Sequence, residues 1–377
     1  MTFNPGADAL FIALAGSQAH GTAREGSDVD LRGVCVAPLA VRLSLFDGFE
    51  QHEGPLSGEL EQAVLTRLRA HPTASRGLEV KLESVLFDVA KFLGLCANAN
   101  PNALEILFAD PADWVHETPA WRRIHDARRA FLTKKVQQTF QGYALAQLKK
   151  IKTHRSWLLS PPTRKPTRED FGLPESGTLG REVDNRVEEG LAEKIRAWGV
   201  DTLEMDKPTR VAVQARLQEF WRDALAVEED ELEVRMRAVA SHALGLPAEV
   251  MQTLNAERRY RAALRHWESY EKWKAQRNRA RAQLEAAHGY DTKHAMHLVR
   301  LMRMGLEVLR DGELRVRRPD AAELAEIRDG ALDFEALSRL AAGLEAEMRA
   351  AAAQSTLPEG VDRAAVDALA YAVMIGS

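Results

Sequence analysis

Two aspartates spaced i, i+2, Asp28 and Asp30, stand in the stretch Ala15–Gly33, which reads AGSQAHGTAREGSDVDLRG. The apolar run Leu10–Ala15 precedes them and ends in Gly16-Ser17, as a buried strand entering a turn does. The aspartates open a second strand-like run, Val29–Ala37. Residues i and i+2 of a strand share a face, so the two carboxylates would project together, about 6–7 Å apart. Such a pair can hold one or two Mg²⁺ ions, or Mn²⁺ in their place, with substrate phosphates completing the shell. Gly16 and Ser17 fall where a helix starts after a strand, and their N–H groups and the Ser17 hydroxyl can donate to a phosphate oxygen. The chemistry this combination suggests is attack of an acceptor hydroxyl on a nucleoside triphosphate, with pyrophosphate leaving. Either half alone is a common turn or cap; their joint spacing on two strands makes the signal.

Basic residues add to it. Arg32 continues the Asp28–Asp30 period and could meet a phosphate or neutralise the carboxylates. Arg24 and His20, in the turn between the two halves, are weaker candidates, and His52 and His71 carry no specific role. Farther along, Tyr290–Arg310 reads as a helix starting near Thr292. Lys293, His297, Arg300 and Met304 fall near one face of it, where the first three could hold a triphosphate or an acceptor. Leu298, Leu301, Met302, Leu306 and Leu309 form its core face. His294 and His297, three apart, lack a cysteine or a nearby third ligand in the sequence, which argues against zinc there.

The pattern hydrophobic-Gly-Ser, about ten residues, Asp-hydrophobic-Asp-hydrophobic resembles the nucleotidyltransferase signature of the DNA polymerase beta superfamily. The blocks SDVDLRG, VLFDVAKFLGLCANANPNALEILF, PPTRKPTREDFGLPE and TKHAMHLVRLMRMGLEVL narrow the resemblance to nucleotidyltransferases associated with RNA ligases and RNA repair, from Gly16 to about Gly330. The resemblance implies an α+β fold: a palm with a mixed sheet and helices on one side, followed by a large helical domain. It implies a third carboxylate on a neighbouring strand, acting as general base and metal ligand beside Asp28 and Asp30. Glu83 fits best, with Glu79 the alternative; the family more often has Asp there. It also points to RNA, with a damaged or cleaved end, as the acceptor.

The elements needed to position these groups can be sketched. Glu79–Phe87 alternates as a third strand, and a helix is expected near Glu59–Arg69. Asp88–Ala97 and Asn102–Phe108 have helical periodicity, the second opened by Asn-Pro-Asn. The composition changes near residue 115, which suggests a palm domain over 1–115 and a basic, substrate-binding helical domain over 116–377. Expected helices there are Pro119–Ile151, Gly190–Ala226, Glu229–Ala243, Ala248–His288, Thr292–Arg310, Ala321–Arg328, Phe334–Ala353 and Arg363–Met374. Ser160–Pro174, with four prolines, reads as a stiff basic loop.

Charge distribution supports a polyanionic partner. Ala127–Arg168 holds eleven Lys/Arg and no acid, and Asn255–Arg281 has nine Lys/Arg against three Glu. The rest of the chain must then carry −21 to reach the total of −4. Tyr260, Trp267, Tyr270 and Trp273 interleave the second basic stretch; their spacing of three or seven favours a helical core over base stacking. Two cysteines, Cys35 and Cys96, exclude a disulfide scaffold and suit a reducing compartment. The chain shows no membrane span and no secretory leader, so a cytoplasmic location is expected. Two rival readings share the motif's residues: nucleotidylation of a protein or small molecule, and a catalytically silent RNA-binding module.

Overall fold

A computed structural model describes residues 4–175 except 7, 26, 47, 57 and 72–81, then residue 189, and residues 248–375 except 278. The expected helices Gly190–Ala226 and Glu229–Ala243, and Glu79, lie outside the described residues. The chain forms two compact units, one of residues 1–159 with 279–377 and one of 160–278. Every site residue discussed below belongs to the first.

The first unit begins with β1 (Ala9–Ala15), a five-residue helix α1 (Gly16–His20) and β2 (Val29–Cys35). After α2 (Leu39–Arg42) come β3 (Gln51–Glu53), α3 (Gly58–Ala70), β4 (Leu82–Asp88), α4 (Val89–Ala97), α5 (Pro101–Leu107) and β5 (Trp114–Glu117). The strands build one mixed sheet of order β3-β4-β2-β1-β5, with β2 and β4 parallel and the other pairs antiparallel. The chain is thus an α+β fold with a mixed five-stranded sheet followed by a large helical region.

Alternation along β1 divides the core in two. Phe11 and Ala13 face the larger cluster, where most helices pack, while Ile12 and Leu14 join the smaller one with Val64 and Leu68 of α3 on the opposite face. Trp121 of α6 (Pro119–Asp126) stacks on Phe11, ring centroids 3.8 Å apart, and is fully buried. This packing is why residue 115, where the composition changes, lies inside the first unit.

Local chemistry sets most helix starts. Asp88, at the end of β4, accepts from the amide of Ala90 and so opens α4. Asn100 caps α5 through the amides of Asn102 and Ala103, with Pro101 at the first helical position. One long helix was expected over Pro119–Ile151; instead α6 stops, a 3₁₀ turn spans Arg128–Phe131, and α7 runs Lys135–Leu159. Phe131 and Leu132 bury in the core at that bend, and the Lys134 amide bonds to the Pro358 carbonyl. Packing, without a proline or glycine to announce it, decides the break.

The stretch expected as Ala248–His288 is likewise two helices, α8 (Ala248–Gln276) and α9 (Arg279–His288). Then follow α10 (Thr292–Asp311), α11 (Ala321–Arg328), α12 (Phe334–Gln354) and α13 (Arg363–Ile375). Helix α10 is the central one: it buries Leu298, Leu301, Met302, Leu306 and Leu309 as expected. At Gly305 it comes so close to α7 and α12 that a Cβ would meet Phe140 and Met348. Among the described residues no helix is long and apolar enough to cross a membrane.

Candidate active site

Ala15, the last residue of β1, pairs with Asp30 on β2, and Asp30 pairs in turn with Glu83 on β4. Because β2 and β4 are parallel and in register, Asp30 and Glu83 stand side by side on one face. Asp28 directly precedes β2 and is exposed; Asp30 and Arg32 alternate with buried Val29 and Leu31. The sheet's inner face is apolar on one side of each residue, so the charged members of the alternation are turned toward solvent at the strand's start.

Gly16 follows Ala15 immediately and lies over the Asp30 carboxylate. Its φ is +59°, and a Cβ there would fall on the Asp30 Oδ2 atom. Only glycine fits, which places the opening backbone of α1, with Ser17 next in line, against the acidic group. Asp30's carboxyl is held above the usual aspartate range: burial is the largest cause, with Glu83 and Asp28 adding to it while Arg32 and Lys293 pull the other way. Arg32 approaches Asp30 Oδ1 at 3.7 Å, and its Nη1 also donates to the Leu31 carbonyl at 2.9 Å. Three carboxylates near one another at the start of β2 and β4 are a donor set suited to a divalent cation.

A cleft of about 570 Å³ opens on this face. Gly16, Asp30 and Arg32 line it from the sheet, and Lys293, His297 and Arg300 line it from α10, nearly three hundred residues away in sequence. Part of the first motif and three residues of α10 therefore share one cavity, whereas Ser17, Asp28 and Glu83 are not among the residues that line it. Their states differ. Lys293 is exposed. His297 is pushed down to about 2 by burial, with Arg300 and Lys293 adding, so it is neutral at physiological pH. Arg300, 5% exposed, gives Nη1 to the Glu105 carboxylate.

That Glu105, on α5, was not singled out in the sequence, yet it joins three elements. His20 Nε2 of α1 lies 3.0 Å from its other oxygen, and Arg300 of α10 meets the first. Burial alone would raise the Glu105 carboxyl, but Arg300 and His20 outweigh it and hold the group well below the usual range. His20, buried, is shifted down, by desolvation first and Arg300 next. Arg24 pairs with Asp329 at 2.7 Å and so ties the turn to α11. Other cleft residues outside the motifs are Gln51 and Glu53 of β3 and Tyr143, Gln147 and Lys150 of α7. Strand β3 sits in a polar, Gly- and Pro-punctuated stretch, and three residues give too little alternation to read. His71, expected to be idle, approaches the buried Asp113 at 3.4 Å, while His52 meets the Pro55 carbonyl at 3.3 Å.

Of the first basic stretch, Arg129, Lys134, Arg164 and Arg168 are in ion pairs, whereas Lys149, Lys150 and Lys152 of α7 are exposed. In the second unit Tyr270 is buried; Tyr260, Trp267 and Trp273 are half-buried, with Arg277 over the Trp273 ring at 4.7 Å. Both cysteines are buried free thiols, and burial pushes Cys35 up to about 12.

Residues 4–158, which carry the Gly-Ser turn, all three carboxylates and Glu105, match the family model RlaP, the RNA repair pathway DNA polymerase beta family. The match covers less than half of the 377 residues and shows a similarity to that family over this stretch. Comparison with curated proteins and with solved structures gives no match. Polymerase-beta-type nucleotidyltransferases generally use divalent metals, in keeping with the acidic donor set beside Gly16. The family matched here does not extend to α10, so Lys293, His297 and Arg300 enter the site on geometry alone.

Proposed function

We propose that this protein is a metal-dependent nucleotidyltransferase that moves a nucleoside monophosphate from an NTP to a hydroxyl of an RNA end, releasing pyrophosphate. The observation that carries the reading is the register pair Asp30–Glu83 beside Asp28, with Gly16 pressed against the Asp30 carboxylate. Similarity of residues 4–158 to an RNA repair family supports RNA as the acceptor, and so do the exposed lysines of α7, one of which borders the cleft.

Asp28, Asp30 and Glu83 would hold Mg²⁺ or Mn²⁺, which when bound supplies charge stabilisation to the phosphates and lowers the acceptor hydroxyl's pKa. Glu83, the most exposed of the pair on adjacent strands, would accept the proton of the acceptor hydroxyl. The backbone at Gly16 and Ser17 would donate to phosphate oxygens, and Arg32 and Lys293 would bring positive charge to the same cleft. His297, neutral, would donate a hydrogen bond without adding charge. The proposed palm of residues 1–115 would supply the carboxylates and the Gly16–Ser17 backbone, and the helical domain of residues 116–377 would bind substrates, with Lys293 and His297 among its contacts.

The test is incubation with each labelled NTP, Mg²⁺ or Mn²⁺, and total cellular RNA or protein, beside an Asp28→Ala/Asp30→Ala double variant. Label in RNA that disappears in the variant is expected. Label confined to protein would sink the RNA reading, and RNA binding with no label in any condition would point to a silent binding module.

A further inference from the structure

Three residues that the nucleotidyltransferase site does not use meet where α7 packs on α10. Asp291 precedes α10 and is fully buried; His294 lies in the first turn of α10, and His154 comes from α7. Asp291 Oδ1 accepts from the His294 amide at 3.1 Å, which caps the helix and fixes the carboxylate. Its other oxygen, Oδ2, faces both imidazoles, 3.4 Å from His154 Nδ1 and 3.5 Å from His294 Nε2. One ligand atom from each of the three lies within 4.8 Å of the others.

The distances discriminate between two explanations. A charge-assisted histidine–aspartate hydrogen bond closes to about 2.7–2.9 Å; His154 Nδ1 and Asp291 Oδ2 make only a long hydrogen bond at 3.4 Å, and His294 Nε2 stands at 3.5 Å. Two ligands on a tetrahedral ion with bonds of about 2.0–2.1 Å stand roughly 3.3–3.4 Å apart, close to what both N···O pairs show.

We propose that His154, Asp291 and His294 form a binding site for one divalent transition-metal ion of the zinc class. Two imidazoles and a carboxylate are borderline ligands that favour Zn²⁺ or Co²⁺ over Mg²⁺, so this ion is chemically distinct from the one assigned to Asp28, Asp30 and Glu83. Three protein ligands leave a fourth position open. His294 borders the cleft that holds Asp30, so that position is reachable by water or by an oxygen of a ligand in the cleft.

The experiment is titration of chelator-treated, full-length protein with Co²⁺, followed by visible absorption in excess Mg²⁺, and repeated with Zn²⁺ as competitor. One equivalent of Co²⁺ with the intense absorption of four-coordination is expected, displaced by one equivalent of Zn²⁺. His154→Ala and His294→Ala should each weaken binding at least about tenfold, the lower edge for losing even an outer partner of a metal ligand. The Asp28→Ala/Asp30→Ala variant should bind unchanged, which separates this site from the nucleotidyltransferase reading. His154→Gln replaces His154→Ala if the latter fails to fold, and the Co²⁺ spectrum of the unaltered protein reads the ligand geometry in any case. Absence of saturable Co²⁺ binding would overturn the proposal. Binding that survives in both histidine variants, or that vanishes in the aspartate variant alone, would overturn it too.

Discussion

Gly16 is the residue whose replacement should be least tolerated for its size. Its φ of +59° and the Asp30 oxygen beneath it leave no room for a methyl group. Gly16→Ala is expected to cost about 1–2 kcal/mol from the left-handed backbone alone, and to displace Asp30 as well. Thermal unfolding and NTP turnover should fall together, with turnover falling further. Asp30 offers a test of the acidic cluster in the metal-free protein. Its carboxyl is raised chiefly by burial and then by Glu83 and Asp28, so its charged form is disfavoured in the folded state. Stability from this group therefore decreases as pH rises from the ordinary aspartate value through the raised one, and affinity for a divalent cation increases over the same window. Glu83→Gln should lower the Asp30 titration midpoint, read by NMR of the side-chain carboxyl. A midpoint that stays put would mean that Glu83 does not face Asp30.

At the scale of elements, Glu105 is the joint of the site. It connects α1, α5 and α10 through His20 and Arg300, and Arg300 is 5% exposed. Glu105→Gln leaves that guanidinium buried without its counter-charge, which costs about 3–5 kcal/mol. A large drop in melting temperature is expected, and the double variant Glu105→Gln/Arg300→Met should recover part of it. The carboxyl is held low by Arg300 and His20 against the opposing effect of burial. Its contribution is thus complete above the ordinary glutamate range and is lost progressively as pH falls from that range through the depressed value. Wild-type stability that declines continuously with acid below the ordinary glutamate range, and more shallowly in Glu105→Gln, is the matching observation. The bend between α6 and α7 belongs to this scale as well, because it lets Phe131 bury while α7 continues toward the cleft with Tyr143, Gln147 and Lys150.

For the whole molecule, the near-neutral total of −4 conceals a division of labour between carboxylates and cations. Part of the first basic stretch is already paired, and Lys149, Lys150 and Lys152 of α7 are the exposed group next to the cleft. If RNA is gripped through its phosphates, transfer to RNA at subsaturating acceptor should fall steeply between about 50 and 200 mM salt. Replacing the three lysines with alanine should flatten that dependence while leaving NTP affinity less affected. Salt-insensitive transfer would point to a small or protein acceptor.

The acidic motif was legible because its geometry is local. Asp30 and Arg32 of β2 alternate with buried Val29 and Leu31, with Asp28 directly before the strand, and a glycine-serine turn after an apolar run marks the end of β1. Helices with caps and strong periodicity, such as α5 and α10, could be read for the same reason. Elements whose limits depend on packing could not: the break at Arg128–Phe131 carries no proline or glycine, and the three residues of β3 are too few to show a period. Side-chain partnerships were the least readable. Asp291 caps α10, and its second oxygen meets His154 across 137 residues of chain, a contact no local pattern shows, and Glu105 gives no sign in the sequence of the His20 and Arg300 it joins. The sequence by itself determined which residue types stand at the start of β2 and on the face of α10. Only the tertiary structure decided that they share one cleft, because the parallel register of β2 with β4 and the packing of α10 on α7 are set by long-range burial of apolar faces, which local periodicity does not encode.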